Sequence, residues 1–175
     1  FKPRFFSNSE YLLQSEYRKE TKNSSHIIDL SVNKSEKDST EGTKTHFFSN
    51  SKFNLDTNIF DTNTIDLKIE KVSNDNYTQL YSLESTSPII KDTSVLENII
   101  EYSGSNDFMD LKVSLESYES MNKLTSDKYE FIYPNYSLST SKFFDDEFFS
   151  GYDFTSSGHQ KKHSTNIYEG VLIND

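Results

Sequence analysis

The stretch Thr64-Ile65-Asp66-Leu67-Lys68-Ile69-Glu70-Lys71-Val72 changes between apolar and polar at almost every step. Successive side chains of a strand point to opposite faces, so Ile65, Leu67 and Ile69 make an oily wall opposite Asp66, Lys68 and Glu70. The pattern returns further on, where Met109, Leu111, Val113 and Leu115 alternate with Asp110, Lys112 and Ser114, and Glu116 extends the polar row. A sandwich domain would bury the oily wall against a second sheet. A membrane barrel would turn it to lipid and keep the charges inside.

Working outward from these two segments gives a hairpin meander. The strand candidates are Lys2–Phe6, Tyr11–Glu20, His26–Asn33, Thr45–Leu55, Thr64–Val72, Tyr77–Glu84, Val95–Tyr102, Phe108–Tyr118, Lys128–Ser139, Phe148–Thr155 and Thr165–Ile173. Several approach the roughly 9–11 residues that a tilted strand needs to cross a bilayer. Turns without long crossovers predict antiparallel neighbours in sequence order. The expected fold class is therefore all-β, an antiparallel up-and-down meander, and the spacing suits a fragment of a large transmembrane β-barrel. No apolar run is long enough for a helical span.

Composition narrows the alternatives. The 175 residues include no alanine and no cysteine, which disfavours a helical bundle and removes disulfides and thiolate metal sites. Only 33% of residues are hydrophobic and mean hydropathy is -0.75, so a dry two-layer core would be hard to fill. Disorder is countered by the 14% of Phe and Tyr, placed in alternating runs. A net charge of -10 speaks against nucleic acid as a partner and against a polybasic membrane-surface helix. Both ends fall in strand-like runs, Phe1 to Phe6 and Ile167 to Ile173, so the chain is expected to be part of a larger domain covering 1–175 and cut at both ends.

The connections alternate in length, a tight turn at Lys22–Ser25 against a long charged loop at Lys34–Lys44 with Gly42. Outer-membrane barrels have short turns on one side and longer loops on the other. Phe143 and Phe144, with Phe148 and Phe149, flank the acidic turn Asp145, Asp146, Glu147. An interfacial aromatic girdle would look like this, and so would a clustered end of a soluble hairpin. Pro3, Pro88 and Pro134 each lack a ladder donor, and Pro134 is expected at a bulge or strand end.

No catalytic, cofactor or metal site is expected. His159 and His163 lie in a Gly- and Ser-rich stretch that reads as a loop, where they would not converge on a metal. Asp145 and Asp146 read as a solvated turn rather than an acid/base pair, and neither a phosphate loop nor a nucleophile elbow occurs. Asp75 and Tyr77 are expected to tie a loop to its strand, through a side-chain-to-backbone bond and a packed ring.

Three motifs carry a family resemblance. Ser15-Glu16-Tyr17-Arg18 with Thr21-Lys22-Asn23 resembles the early barrel of the LPS-assembly protein family LptD. Leu67 to Val72, running on through Ser73-Asn74-Asp75-Asn76-Tyr77, is similar to that family's strand entering a Ser/Asp-x-x-Tyr signature, though Thr78 stands where a second aromatic is usual. Tyr129-Glu130-Phe131-Ile132-Tyr133-Pro134 resembles its later strand that ends in proline. Order and spacing agree over nearly the whole chain, in the Asn-, Lys- and Ser-rich style of alphaproteobacterial members.

The resemblance implies a part of the outer-membrane translocon that assembles lipopolysaccharide into the outer leaflet, with no catalysis and no cofactor. It implies an LptE-type plug lipoprotein, an LptA-type periplasmic bridge reaching the protein through a jelly roll not in this chain, and outer-membrane lipid as partners. The family's jelly-roll-to-barrel disulfides cannot form from a segment without cysteine. Pro3 would lie near the lateral gate, where a missing donor eases opening. Asp66, Lys68, Glu70, Asp110, Lys112 and Glu116 would face the lumen, with lysine the natural partner for lipid phosphates. The other functions open to the sequence are a different outer-membrane barrel, such as a porin or receptor, and a secreted all-β adhesin or carbohydrate-binding module.

Overall fold

The computed structural model describes residues 1–5, 10–35, 43–83, 87, 89, 94–123, 127–144 and 150–163. They form one nine-stranded antiparallel sheet in which every strand pairs with its sequence neighbours, and the sheet does not close. The strands are β1 (Lys2–Phe5), β2 (Glu10–Glu20), β3 (Ser24–Ser35), β4 (Lys44–Asn54), β5 (Thr62–Val72), β6 (Val95–Asn106), β7 (Met109–Ser120), β8 (Tyr129–Phe143) and β9 (Gly151–His163), with one short helix, α1 (Tyr77–Leu80). The all-β meander read from the alternation is the fold observed.

Register carries the two walls across the whole sheet. Leu13 faces Val32, Leu30 faces Phe47, and Phe53 faces Ile65. Leu67 then faces Ile100, which faces Leu115, and Val113 faces Tyr136. These residues share one face. It is largely uncovered: Ile100 and Leu115 are each 51% exposed, and Leu13, Leu30, Phe47, Phe53 and Tyr136 are exposed as well.

The buried apolar cluster lies elsewhere. It joins Leu12, Phe48 and Val72 to Tyr77, Tyr81, Leu83 and Ile89, and extends to Leu96 and Met121. Leu12 and Phe48 sit on the polar side of the sheet, in register with Gln14, Asp29, Ser31 and His46. The connection after β5 therefore folds back over the polar side as a strap. Arg4 Nη1 donates to Tyr81 O at 2.6 Å and ties the strap to β1.

Several expectations are corrected. The strand expected at Tyr77–Glu84 is not formed by its described residues 77–83, because Tyr77–Leu80 is a turn of helix whose rings pack against the sheet. Pro134, by contrast, takes one of the two placements expected for it, a bulge. β8 runs through it, and three steps from Ile132 to Asn135 oppose two on β7 and two on β9. One extra residue is thus absorbed as a bulge, the form in which a strand tolerates proline. His159 and His163 belong to β9 and not to a loop, four residues apart and so on the same face. No group of three or more metal-ligating side chains forms among the described residues. The strand expected at Phe148–Thr155 is observed from Gly151 onward and continues to His163. Thr165–Ile173, Gly42, Pro88, the acidic turn Asp145–Glu147, Phe148 and Phe149 lie outside the described residues.

Candidate functional site

The two polar rows of β5 and β7 come together on one face with β6 between them. Asp66 faces Glu101, and Glu101 faces Ser114. Lys68 faces Ile99, and Ile99 faces Glu116. The cations of this face are already held. Lys68 Nζ lies 2.5 Å from Glu97 and 3.1 Å from Glu70, Lys112 Nζ lies 2.9 Å from Glu101, and Lys52 Nζ lies 3.3 Å from Asp66. Glu116 accepts from Ser114 at 2.5 Å, Tyr118 at 2.7 Å and Asn135 at 2.9 Å. Asp110 is exposed beside a cleft shared with Lys112, Thr64 and Ser103. The face is a lattice of paired charges, which keeps a polar surface ordered without leaving single charges to be desolvated.

The strap meets a second polar group, one that sequence reasoning did not single out. Asp29 and His46 have fully buried side chains, with His46 Nε2 at 3.5 Å from Asp29 Oδ1. Gln14 Nε2 donates to both Asp29 oxygens at 3.1 Å. Ser31 Oγ sits 2.5 Å from His46 Nδ1 and 2.7 Å from the Tyr77 hydroxyl. Serine, histidine and aspartate thus follow one another, but Ser31 is 2% exposed and its hydroxyl is engaged by Tyr77. A nucleophile needs an open approach for its substrate. The trio is an anchor.

Tyr77 is the bolt of that anchor. Its ring is 1% exposed and packs 4.8 Å from the Tyr81 ring and 6.0 Å from His46. Burial pushes its phenol up to about 12. Asp75 does not make the expected backbone bond. Its carboxylate accepts from Lys128 Nζ at 2.9 Å, while Asn74 Oδ1 supplies the turn by accepting from Asn76 N–H at 3.0 Å. Lys128 also lies 3.3 Å from Glu119, and the Asp75 carboxylate holds its ammonium protonated above the ordinary lysine range. The expected packed ring of Tyr77 is present, whereas Asp75 ties its loop to Lys128, ahead of β8, and not to its own strand.

Pro3 lies in the edge strand β1 opposite Leu13, where a missing donor costs the ladder least. Pro134 lies in the bulge, away from the strap. The sequence signal for the buried trio was faint, since Asp29, Ser31 and His46 read as ordinary polar steps of alternating strands. They are closed from water by groups arriving from elsewhere in the chain, with the Tyr77 phenol on Ser31 and Ser87 on Asp29.

No protein-family model matches the chain, and no curated protein matches it.

Proposed function

We propose that this chain is part of the wall of an outer-membrane β-barrel. The carrying observation is the inverted burial of the sheet. Its apolar face is bare while Gln14, Asp29, Ser31, His46 and Glu70 are buried on the polar face. In water such a face would drive a second sheet or a partner onto it, and in a bilayer it is the face that lipid covers. The lengths agree: β2 to β9 run from 11 to 15 residues, enough for a tilted strand to cross hydrocarbon. The strap supports the same reading, because a connection folded onto the polar face would occupy a lumen. Among the described residues no helix is long and apolar enough to cross a membrane.

Within that class we read the protein as an LptD-type component that places lipopolysaccharide in the outer leaflet with a plug lipoprotein. The cargo rests on the three sequence motifs, and the wall rests on the sheet. The chain transports and does not catalyse. Its paired lysines imply that lipid phosphates meet a zwitterionic surface here and not free cations.

The test uses single cysteines, clean in a chain that has none of its own. Cysteines at 109, 111 and 113 should react with a membrane-soluble maleimide in outer-membrane vesicles, and those at 110, 112 and 114 should not. The reverse pattern would overturn the wall. Co-purification of an LptE-type lipoprotein with the full protein supports the lipopolysaccharide cargo, and its absence favours another barrel.

A further inference from the structure

Strand parity lays the bare apolar face out in rows. One row runs Leu67, Ile100, Leu115, and the next runs Ile69, Asn98, Ser117. Two residues further on the same face, β5 brings Lys71 and β7 brings Glu119. On β8, Phe131 faces Ser117 and Tyr129 faces Glu119. A cleft of about 410 Å³ opens in these rows, lined by Ile69, Ile100, Leu115, Phe131 and Tyr133. It lies beside the place where the paired register of β5 and β6 ends, at Lys68 and Ile99. Its size is that of a small-ligand site, roughly 300–1,000 Å³.

A polar rim borders one end of this cleft. Lys71 Nζ lies 3.2 Å from Glu119, Lys128 Nζ lies 3.3 Å from Glu119, and Lys128 Nζ lies 2.9 Å from Asp75. The Tyr129 hydroxyl donates to Glu119 at 3.0 Å. Two cations and two carboxylates thus balance where the apolar rows end. The outer members of the rim remain open to a ligand. The Lys71 side chain is 65% exposed and that of Asp75 40%, against 9% for Glu119 and 15% for Lys128 between them. Lys162 faces Phe131 from β9, on the far side of the ring that walls the cleft.

We propose that the cleft and its rim hold one phospholipid with a zwitterionic head, phosphatidylethanolamine in chemistry. An acyl chain fills the cleft, the phosphate meets Lys71 and the ammonium meets Asp75. Charge complementarity selects the head. A head with a net charge would leave one end of a balanced rim unmatched, whereas a phosphate and an ammonium on a short linker answer both ends. The chain needs no directed bonds. It gains by covering apolar area, which the Phe131 ring supplies between Tyr129 and Tyr133, with centroids 6.4 Å away on either side. The site rests on the barrel-wall reading, which brings lipid to this face. Every ladder of the sheet stays intact with the lipid in place.

Native mass spectrometry of the full protein, released from outer membranes in mild detergent, tests the site. The probes are palmitoyl-oleoyl phosphatidylethanolamine and the matching phosphatidylglycerol at equal concentrations. Wild type should retain one phosphatidylethanolamine with about fivefold preference over phosphatidylglycerol, the scale of one exposed charge pair. Asp75→Asn leaves the rim with one positive charge in excess and should turn the preference toward phosphatidylglycerol. A merely structural Asp75 would weaken both lipids alike. Lys71→Gln should lower phosphatidylethanolamine retention about fivefold, and Ile100→Trp should fill the cleft and abolish retention of either lipid. No lipid retained by wild type, retention without head preference, a wild-type preference for phosphatidylglycerol, or a preference indifferent to Asp75 would overturn the site. The wall is judged separately by Val113→Cys in vesicles. A thiol there that a membrane-soluble maleimide does not reach refutes the wall, whereas a reactive thiol with no retained lipid refutes the site alone.

Discussion

Tyr77→Phe removes one oxygen from the strap's anchor and leaves its ring in place. At neutral pH the cost is the hydrogen bond to Ser31, about 1 kcal/mol for a neutral buried pair, because Ser31 keeps His46 as a partner. Above neutral pH the sign changes. The phenol ionises at about 12 in the fold against 10.0 unperturbed, because burial disfavours the phenolate. A raised value in an acid that is neutral when protonated stabilises the fold fully below 10.0 and is lost as pH climbs from there through about 12. The loss amounts to roughly 2–3 kcal/mol when complete. Wild type should therefore be the more stable protein below pH 10 by about 1 kcal/mol, and the less stable one above pH 12 by about 1–2 kcal/mol. The two stability curves should cross. Lys128 also titrates late, but it does so in both proteins and cancels in the difference. Thermal unfolding in detergent, read by heat-modifiable gel migration at stepped pH, gives the curves, and absorbance titration of wild type minus Tyr77→Phe isolates the phenol of Tyr77. Parallel curves, or a difference spectrum that titrates near 10, would refute the claim that Tyr77 is sealed against the polar face.

Two further substitutions separate competing readings of the sheet. Leu115→Arg falls on the bare apolar face, where it should cost about 2–4 kcal/mol if that face meets the middle of a bilayer and under about 0.5 kcal/mol if it meets water; unfolding midpoints in lipid and yield in the outer membrane report which holds. Gly104→Ala would set a Cβ 2.7 Å from the Phe60 ring, which lies flat on that backbone, so a loss of about 1–3 kcal/mol is expected in the unfolding midpoint.

How much of this was legible in the sequence depends on which interaction set each element. β5 and β7 declare themselves because both faces impose their own polarity, and the period of two follows directly. β9 does not, since Ser156, Ser157, Gly158 and His159 carry no alternation. Its place comes from β8, where the Tyr136 ring covers Gly158, within 3.1 Å of where a Cβ would stand. A glycine beneath a cross-strand aromatic is a pairing device and not a loop signal. The segment from Tyr77 misled for the opposite reason. Tyr77, Tyr81 and Leu83 fall at even spacing as on one strand face, but four helical residues are too few to show a period of their own, and the rings are fixed by a surface far away in sequence. The candidate site divides the same way. The shared face of Asp66, Lys68, Glu70, Asp110, Lys112 and Glu116 follows from parity, whereas the union of Asp29, Ser31 and His46 under Tyr77 depends on packing between distant segments.

The strand order has a consequence for how the sheet is made. Each strand lies against the one synthesised just before it, so no pairing waits for a distant partner, and the structure can accrete hairpin by hairpin.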